Sequence, residues 1–143
     1  MILVKLKICE VKRKEFKECA QIIFEEFNKQ GDKFTKKTAL QRIKGHYQKG
    51  LFFCAKADNK IAGLILSSKG YYAEGPYIWV NEFVVKEEFQ GCGIGKKLMQ
   101  KIEREAKKKK IKWIYLNTKM LNIKFYKKLG FKDTGYVCVE KKL

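Results

Sequence analysis

Three glycines fall within five residues in Gln90-Gly91-Cys92-Gly93-Ile94-Gly95. The run before them, Tyr77-Ile78-Trp79-Val80-Asn81-Glu82-Phe83-Val84-Val85, is apolar and β-rich, and an amphipathic helical pattern begins near Lys96. Glycine lets the backbone approach an anion closely, and the first-turn N–H groups of a helix have no intrahelical partner. A strand that feeds a glycine turn opening a helix is therefore equipped to hold a phosphate. Metal and thiol chemistry have less to work with. The five cysteines (Cys9, Cys19, Cys54, Cys92, Cys138) are scattered, with no Cys-x-x-Cys pair, and His46 is the one histidine. That spacing argues against a zinc site and against a disulfide framework, and no metal is expected. Cys92 has no neighbouring base to make it a nucleophile and reads as a loop residue whose backbone matters.

The elements that must position this turn follow from periodicity. Leu3 to Val11 reads as a strand with Val4, Leu6 and Ile8 on one face. Phe16, Cys19, Ala20, Ile23 and Phe27 recur at helical spacing from about Lys14, and Gly31-Asp32 closes that helix. A second helix from Thr35 carries Ala39, Leu40, Ile43 and Tyr47 and ends at Gly50. Leu51–Ala57 and Ile61–Ser67 flank Asp58-Asn59-Lys60, a hairpin signal, and the second strand can run on toward Tyr72. After the glycine turn, Ile94, Leu98, Met99, Ile102 and Ala106 form a buried stripe. Ile111 to Asn117 reads as a buried strand, Leu121 to Leu129 as a short helix, and Phe131 through Val137 and Val139 as a final strand or hairpin. The strand–helix–strand from Tyr77 to Asn117 demands a right-handed parallel crossover, whereas the hairpin is antiparallel. The expected fold is an α/β (α+β) layered domain with a mixed central sheet, a single unit over residues 1–143.

Composition and charge narrow the partners. At 45% hydrophobic residues the chain has the composition of a globular core, and no apolar run reaches the roughly 20 residues of a membrane helix. The N-terminal segment alternates like a strand and lacks a signal peptide's pattern, so a cytoplasmic location without membrane association is expected. The net charge of +18 favours anionic partners, from phosphorylated cofactors to nucleic acid. The lysines are spread along the chain, with one block at Lys107-Lys108-Lys109-Lys110, a habit also of heat-adapted surfaces. A non-catalytic basic domain that binds nucleic acid, weakly and non-specifically, is the alternative to an enzyme. No helix-turn-helix or RNA-reading aromatic motif supports it. A homodimer is left open.

Counting residues decides among glycine motifs. The P-loop G-x-x-x-x-G-K-[ST] fails because Gly91 to Gly95 is one residue short and Lys97 stands where Ser or Thr would be needed. The dinucleotide G-x-G-x-x-G fails because Lys96 occupies the third glycine position. Gln90, Gly93 and Gly95 do satisfy Q/R-x-x-G-x-G/A, and Asn122-Ile123-Lys124-Phe125-Tyr126-Lys127-Lys128-Leu129-Gly130-Phe131 supplies a helix ending in F-Y-x-x-x-G-F one strand later. Together these resemble the GNAT superfamily of N-acetyltransferases, over about residues 77 to 131. The resemblance implies an acyl-CoA N-acyltransferase fold with helices on both sheet faces. It also implies acetyl-CoA as co-substrate, with the acetyl group passing to a primary amine by direct attack in a ternary complex.

The same resemblance implies residue roles. Backbone groups of Phe83, Val84 and Val85 would pair with the pantetheine arm, and one nearby N–H would polarise the thioester carbonyl. The N–H groups of Gln90, Gly91, Cys92, Gly93, Ile94, Gly95 and Lys96 would hold the pyrophosphate. Tyr126 would stand near the CoA sulfur, as proton donor or hydrogen-bond donor. Glu82 is the carboxylate on the strand where a general base is wanted, since an ammonium of pKa about 10.4 must lose its proton to attack. It alternates with Asn81, Phe83 and Val85, so a β-bulge decides which way it points. The family's pantetheine-binding asparagine has Lys119 in its place here, which leaves Asn117 and Asn122 as substitutes. The acceptor itself, a small-molecule amine or a peptide or protein amine, is not encoded in these motifs.

Overall fold

A computed structural model describes residues 5–143. Its elements run β1 (Leu6–Glu10), α1 (Phe16–Lys29), α2 (Lys36–His46), β2 (Phe52–Ala57), β3 (Lys60–Tyr72), β4 (Gly75–Val85), α3 (Ile94–Lys108), β5 (Ile114–Tyr115) and α4 (Ile123–Lys128). Short 3₁₀ turns lead into α1, follow β4 and lead into α4. The five strands form one sheet in sequential order. All neighbours are antiparallel except β4 and β5, which pair in parallel across the α3 crossover. The mixed α/β architecture expected from the sequence is the one observed. Residues 1–4, including Val4 of the expected first-strand face, lie outside the described residues.

Alternating side chains send each strand's apolar residues to two cores. One lies under α1 and α2 and contains Phe16, Ile23, Ile43, Phe52, Leu64, Leu66 and Val84. The other lies under α3 and contains Phe53, Ile65, Ile78, Val80, Leu98, Met99 and Ile102. The β2–β3 turn holds Asp58 and Asn59 at φ of 49° and 71°, the left-handed pair that a tight hairpin needs.

Two expectations about the C-terminal third are corrected. β5 is confined to Ile114–Tyr115 instead of running from Ile111 to Asn117. No strand forms over residues 131–143, and Val137 and Val139 stand 83% and 85% exposed. After Phe131 the chain turns on its own side chains: Asp133 Oδ1 accepts from the Gly135 N–H at 2.9 Å, and Thr134 Oγ1 from the Tyr136 N–H at 3.2 Å. Such local bonds compete with a sheet ladder and override the apolar alternation of Val137 and Val139.

Candidate active site

β4 shapes the site through one irregularity. Ser67 pairs with Val80 but Leu66 pairs with Glu82, so Asn81 is an extra residue on β4. Its side chain is tied down by donation to Ser68 Oγ at 2.8 Å. A bulge reverses the side-chain parity beyond it. Ile78 and Val80 face the α3 core, whereas Glu82 lies opposite Leu66 and Val84 packs in the α1/α2 core. Phe83 and Val85 in turn face α3. The bulge therefore aims Glu82 toward α2, where Arg42 Nε donates to Glu82 Oε1 and Arg42 Nη2 donates to the Asn81 carbonyl at 3.3 Å. Glu82 is only 5% exposed, so this partner offsets the burial of its charge.

Beyond Trp79, β4 loses its neighbour, because β5 pairs only with Ile78 and Trp79. The two strands part, and the β4 edge at Phe83, Val84 and Val85 opens onto a cavity of about 580 Å³. Its wall comprises Phe83, Val84 and Val85, most of the Gln90–Lys96 turn, and Asn122, Phe125 and Tyr126. Gly91 and Gly93 have φ of 81° and 78°, conformations that a side chain would strain. The first intrahelical bond of α3 is Lys97 N–H to the Gly93 carbonyl at 3.1 Å, so the N–H groups of Ile94, Gly95 and Lys96 find no backbone acceptor among the described residues. Lys96 adds a positive charge at the rim. Gln90 Nε2 donates to the Val85 carbonyl at 3.1 Å and fastens the turn to the strand. Buried Glu26 on α1 accepts from the Glu87 N–H at 2.7 Å and from Lys29 at 2.9 Å, which fixes the 3₁₀ turn just ahead of the glycines. Gly95 matters for space: a Cβ there would stand 3.5 Å from both the Phe83 and Phe125 rings, so any larger side chain would fill the gap between them.

A second cavity, about 430 Å³, opens on the other side of Phe83 and Tyr126. Phe27, Phe34, Arg42, Asn81, Glu82, Asn117 and Lys119 contribute to its wall, and Gln30, Phe83, Asn122 and Tyr126 are shared with the first. Tyr126 is held edge-on by Phe83 at 6.2 Å and Phe131 at 5.7 Å between ring centroids. Burial pushes its phenol up to about 12, so it stays protonated across the neutral range and acts as a donor.

Of the residues expected to bind cofactor, Phe83, Val84, Val85, Gln90, Gly91, Gly93, Ile94, Gly95, Lys96, Asn122 and Tyr126 converge on the larger cavity. Cys92 is exposed at the apex of the turn and does not line it, and Asn117 lines only the smaller one. Glu82, expected to be catalytic, also lines the smaller one. Sequence reasoning missed Glu26, Phe125, Asp32, Arg42 and Lys119. Arg42 carried a signal: it is one of three arginines among 33 basic residues, and a lysine-rich chain that spends an arginine places a planar fork there.

The Acetyltransferase (GNAT) family model matches residues 15–131. The chain belongs to the GNAT acetyltransferase family. Membership implies acyltransferase activity. Solved structures agree with this GNAT domain in fold at low identity. A predicted acetyltransferase from Clostridium acetobutylicum, solved with acetyl-CoA, is 18% identical with a TM-score of 0.81, covering 96% of both chains. A possible acetyltransferase from Clostridium difficile 630 is 18% identical with a TM-score of 0.82, over 96% of this chain and 97% of that one. Aminoglycoside N-acetyltransferase AAC(6')-Iy in complex with CoA is 18% identical with a TM-score of 0.79, over 99% and 97%. Among the described residues no helix is long and apolar enough to cross a membrane, and no cluster of three metal-ligating side chains occurs.

Proposed function

We propose that this GNAT domain is an acetyl-CoA-dependent N-acetyltransferase that acetylates a primary amine by direct attack in a ternary complex. The observation that carries the reading is the meeting of two cavities at Phe83 and Tyr126, one lined by an anion-binding turn and the other by a buried carboxylate. The pyrophosphate of acetyl-CoA rests on the N–H groups of Gln90 to Lys96. The pantetheine arm lies along the open edge of β4, pairing with Phe83, Val84 and Val85 as a missing strand would. The thioester then sits where the cavities join. Asn122, at the end of the 3₁₀ turn ahead of α4, lines both cavities.

The amine enters through the smaller cavity. Glu82 attracts the ammonium and accepts its proton, directly or through water. The amine nitrogen attacks the thioester carbonyl carbon, and a β4 N–H stabilises the charge on the carbonyl oxygen. The carbon–sulfur bond breaks, CoA leaves as a thiolate, and the second proton on the amide nitrogen passes to that sulfur or to water. Tyr126, with a phenol far less acidic than a thiol, serves that sulfur better by a hydrogen bond than by full proton transfer.

Calorimetric titration with acetyl-CoA, followed by an amine panel read by CoA release, tests the reading. Saturable one-to-one binding and amine-dependent CoA release are expected. No binding at high micromolar acetyl-CoA would overturn it.

A further inference from the structure

The wall of the smaller cavity carries two cation–anion pairs. On the α2 side, Arg42 holds Glu82 and the Asn81 carbonyl. Beyond β5, Lys119 Nζ donates to the Gln30 carbonyl at 3.1 Å and to Asp32 Oδ2 at 3.4 Å. Both acids are therefore already neutralised, and the lining charges cancel. Spare hydrogen-bonding capacity remains on both signs: among the described residues Arg42 spends two of its five N–H groups on protein acceptors and Lys119 two of its three, while Glu82 uses only Oε1 and Asp32 only Oδ2. A polycationic acceptor would find no uncompensated carboxylate here and would meet two fixed positive charges. An anionic group would find a planar guanidinium fork with spare donors, over the Phe34 ring at 6.0 Å, and an ammonium in the same wall.

We propose that the acceptor is a small amine that also carries a carboxylate. Its carboxylate binds the free donors of Arg42 and Lys119, and that anchor brings its amine to the unpartnered Oε2 of Glu82. Because Arg42 touches Glu82 directly, an anion on Arg42 lies only a few atoms from an amine at Glu82. The proposal rests on the acetyltransferase reading above and narrows it to one class of acceptor. The net charge of +18 acts in the same direction by concentrating anionic molecules near the protein.

Matched pairs that differ only by the carboxylate test it: β-alanine against ethylamine, 4-aminobutyrate against propylamine, and lysine against 1,5-diaminopentane. CoA release is the readout, and acetyl-CoA binding is measured calorimetrically on the same samples. Within at least one pair the amino acid should have the higher kcat/KM, by roughly 10- to 100-fold for a hydrogen-bonded charge. Lys119→Met should reduce that ratio to below about 3-fold, chiefly by raising KM for the amino acid. Carboxylate-free amines that turn over equally well or better would overturn the proposal. So would an unchanged ratio in Lys119→Met, or acetyl-CoA binding with no turnover of any member of the panel. Failure to bind acetyl-CoA at all would instead remove the donor reading on which the proposal rests.

Discussion

The two cavities of this domain are built from different materials. The larger is made chiefly of backbone: unpartnered N–H groups at the start of α3, an unpaired stretch of β4, and glycines that keep side chains out of the way. The smaller is made of side chains that come from distant parts of the chain, with Asp32 after α1, Arg42 on α2, Glu82 on β4 and Lys119 beyond β5. Backbone chemistry is common to every residue, so a cleft built from it tolerates many sequences as long as turn and strand survive. A cavity built from charged side chains changes its preference with one substitution. On the proposed function, the common substrate belongs to the first cavity and individual specificity to the second.

If that division holds, variants in the two cavities should separate cleanly. The largest effect is expected for Glu82→Gln, which removes the proton acceptor while leaving the backbone cleft intact. Turnover should fall roughly 10²- to 10⁴-fold with the acetyl-CoA dissociation constant unchanged within about 3-fold, as measured by steady-state kinetics and calorimetry. Loss of donor affinity in this variant would break the division. Gly95→Leu fills the gap between Phe83 and Phe125 and should do the opposite. Acetyl-CoA affinity is expected to fall roughly 100-fold while the melting temperature of the free protein stays within a few degrees, since the added side chain points into the cleft. Equal binding by the variant would remove the pantetheine from its assigned path.

Tyr126→Phe sits on the boundary and should cost about 10-fold in turnover, consistent with loss of one hydrogen bond to the leaving sulfur. With the phenol pushed up to about 12, wild-type activity should show no decline from its ionisation up to about pH 10. An alkaline limb below that pH which vanishes in Tyr126→Phe would contradict the assignment. The smallest effect lies outside both cavities. Burial alone would raise the Glu15 carboxyl, but its bonds from Lys56 and from the Lys12 N–H bring it below its ordinary 4.5, and the lysines around Glu105 do the same. A carboxylate lowered in the folded state contributes stability above its unfolded value and loses it as pH falls through the folded one. Thermal melts should therefore be flat in this contribution down to about pH 5 and decline below it, and less steeply in Glu15→Gln.

The same contrast explains what could be read in advance. Gln90, Gly93 and Gly95 marked the turn in advance because it restricts residue type at fixed spacing: Gly93 takes a positive φ and Gly95 sits where only a small residue leaves room beside Phe83 and Phe125. Tyr126 and Phe131 were legible because they share one helix and its exit. Asp32, Arg42 and Lys119 gave no such pattern, since nothing local in the chain records that three separate segments meet. The aim of Glu82 hinged on one extra residue, Asn81, and bulges leave little trace in an alternating apolar run. Val137 and Val139 misled for the reverse reason: the alternation was present, but the Asp133 and Thr134 turn bonds won locally.

A crystal structure of the acetyl-CoA complex tests the central claim most directly, because the claim is about where a single molecule lies. The pyrophosphate should rest on the N–H groups between Gln90 and Lys96, the pantetheine along Phe83 to Val85, and the thioester sulfur within hydrogen-bond reach of the Tyr126 hydroxyl. A pyrophosphate bound away from the glycine turn, or a sulfur remote from Tyr126, would contradict it.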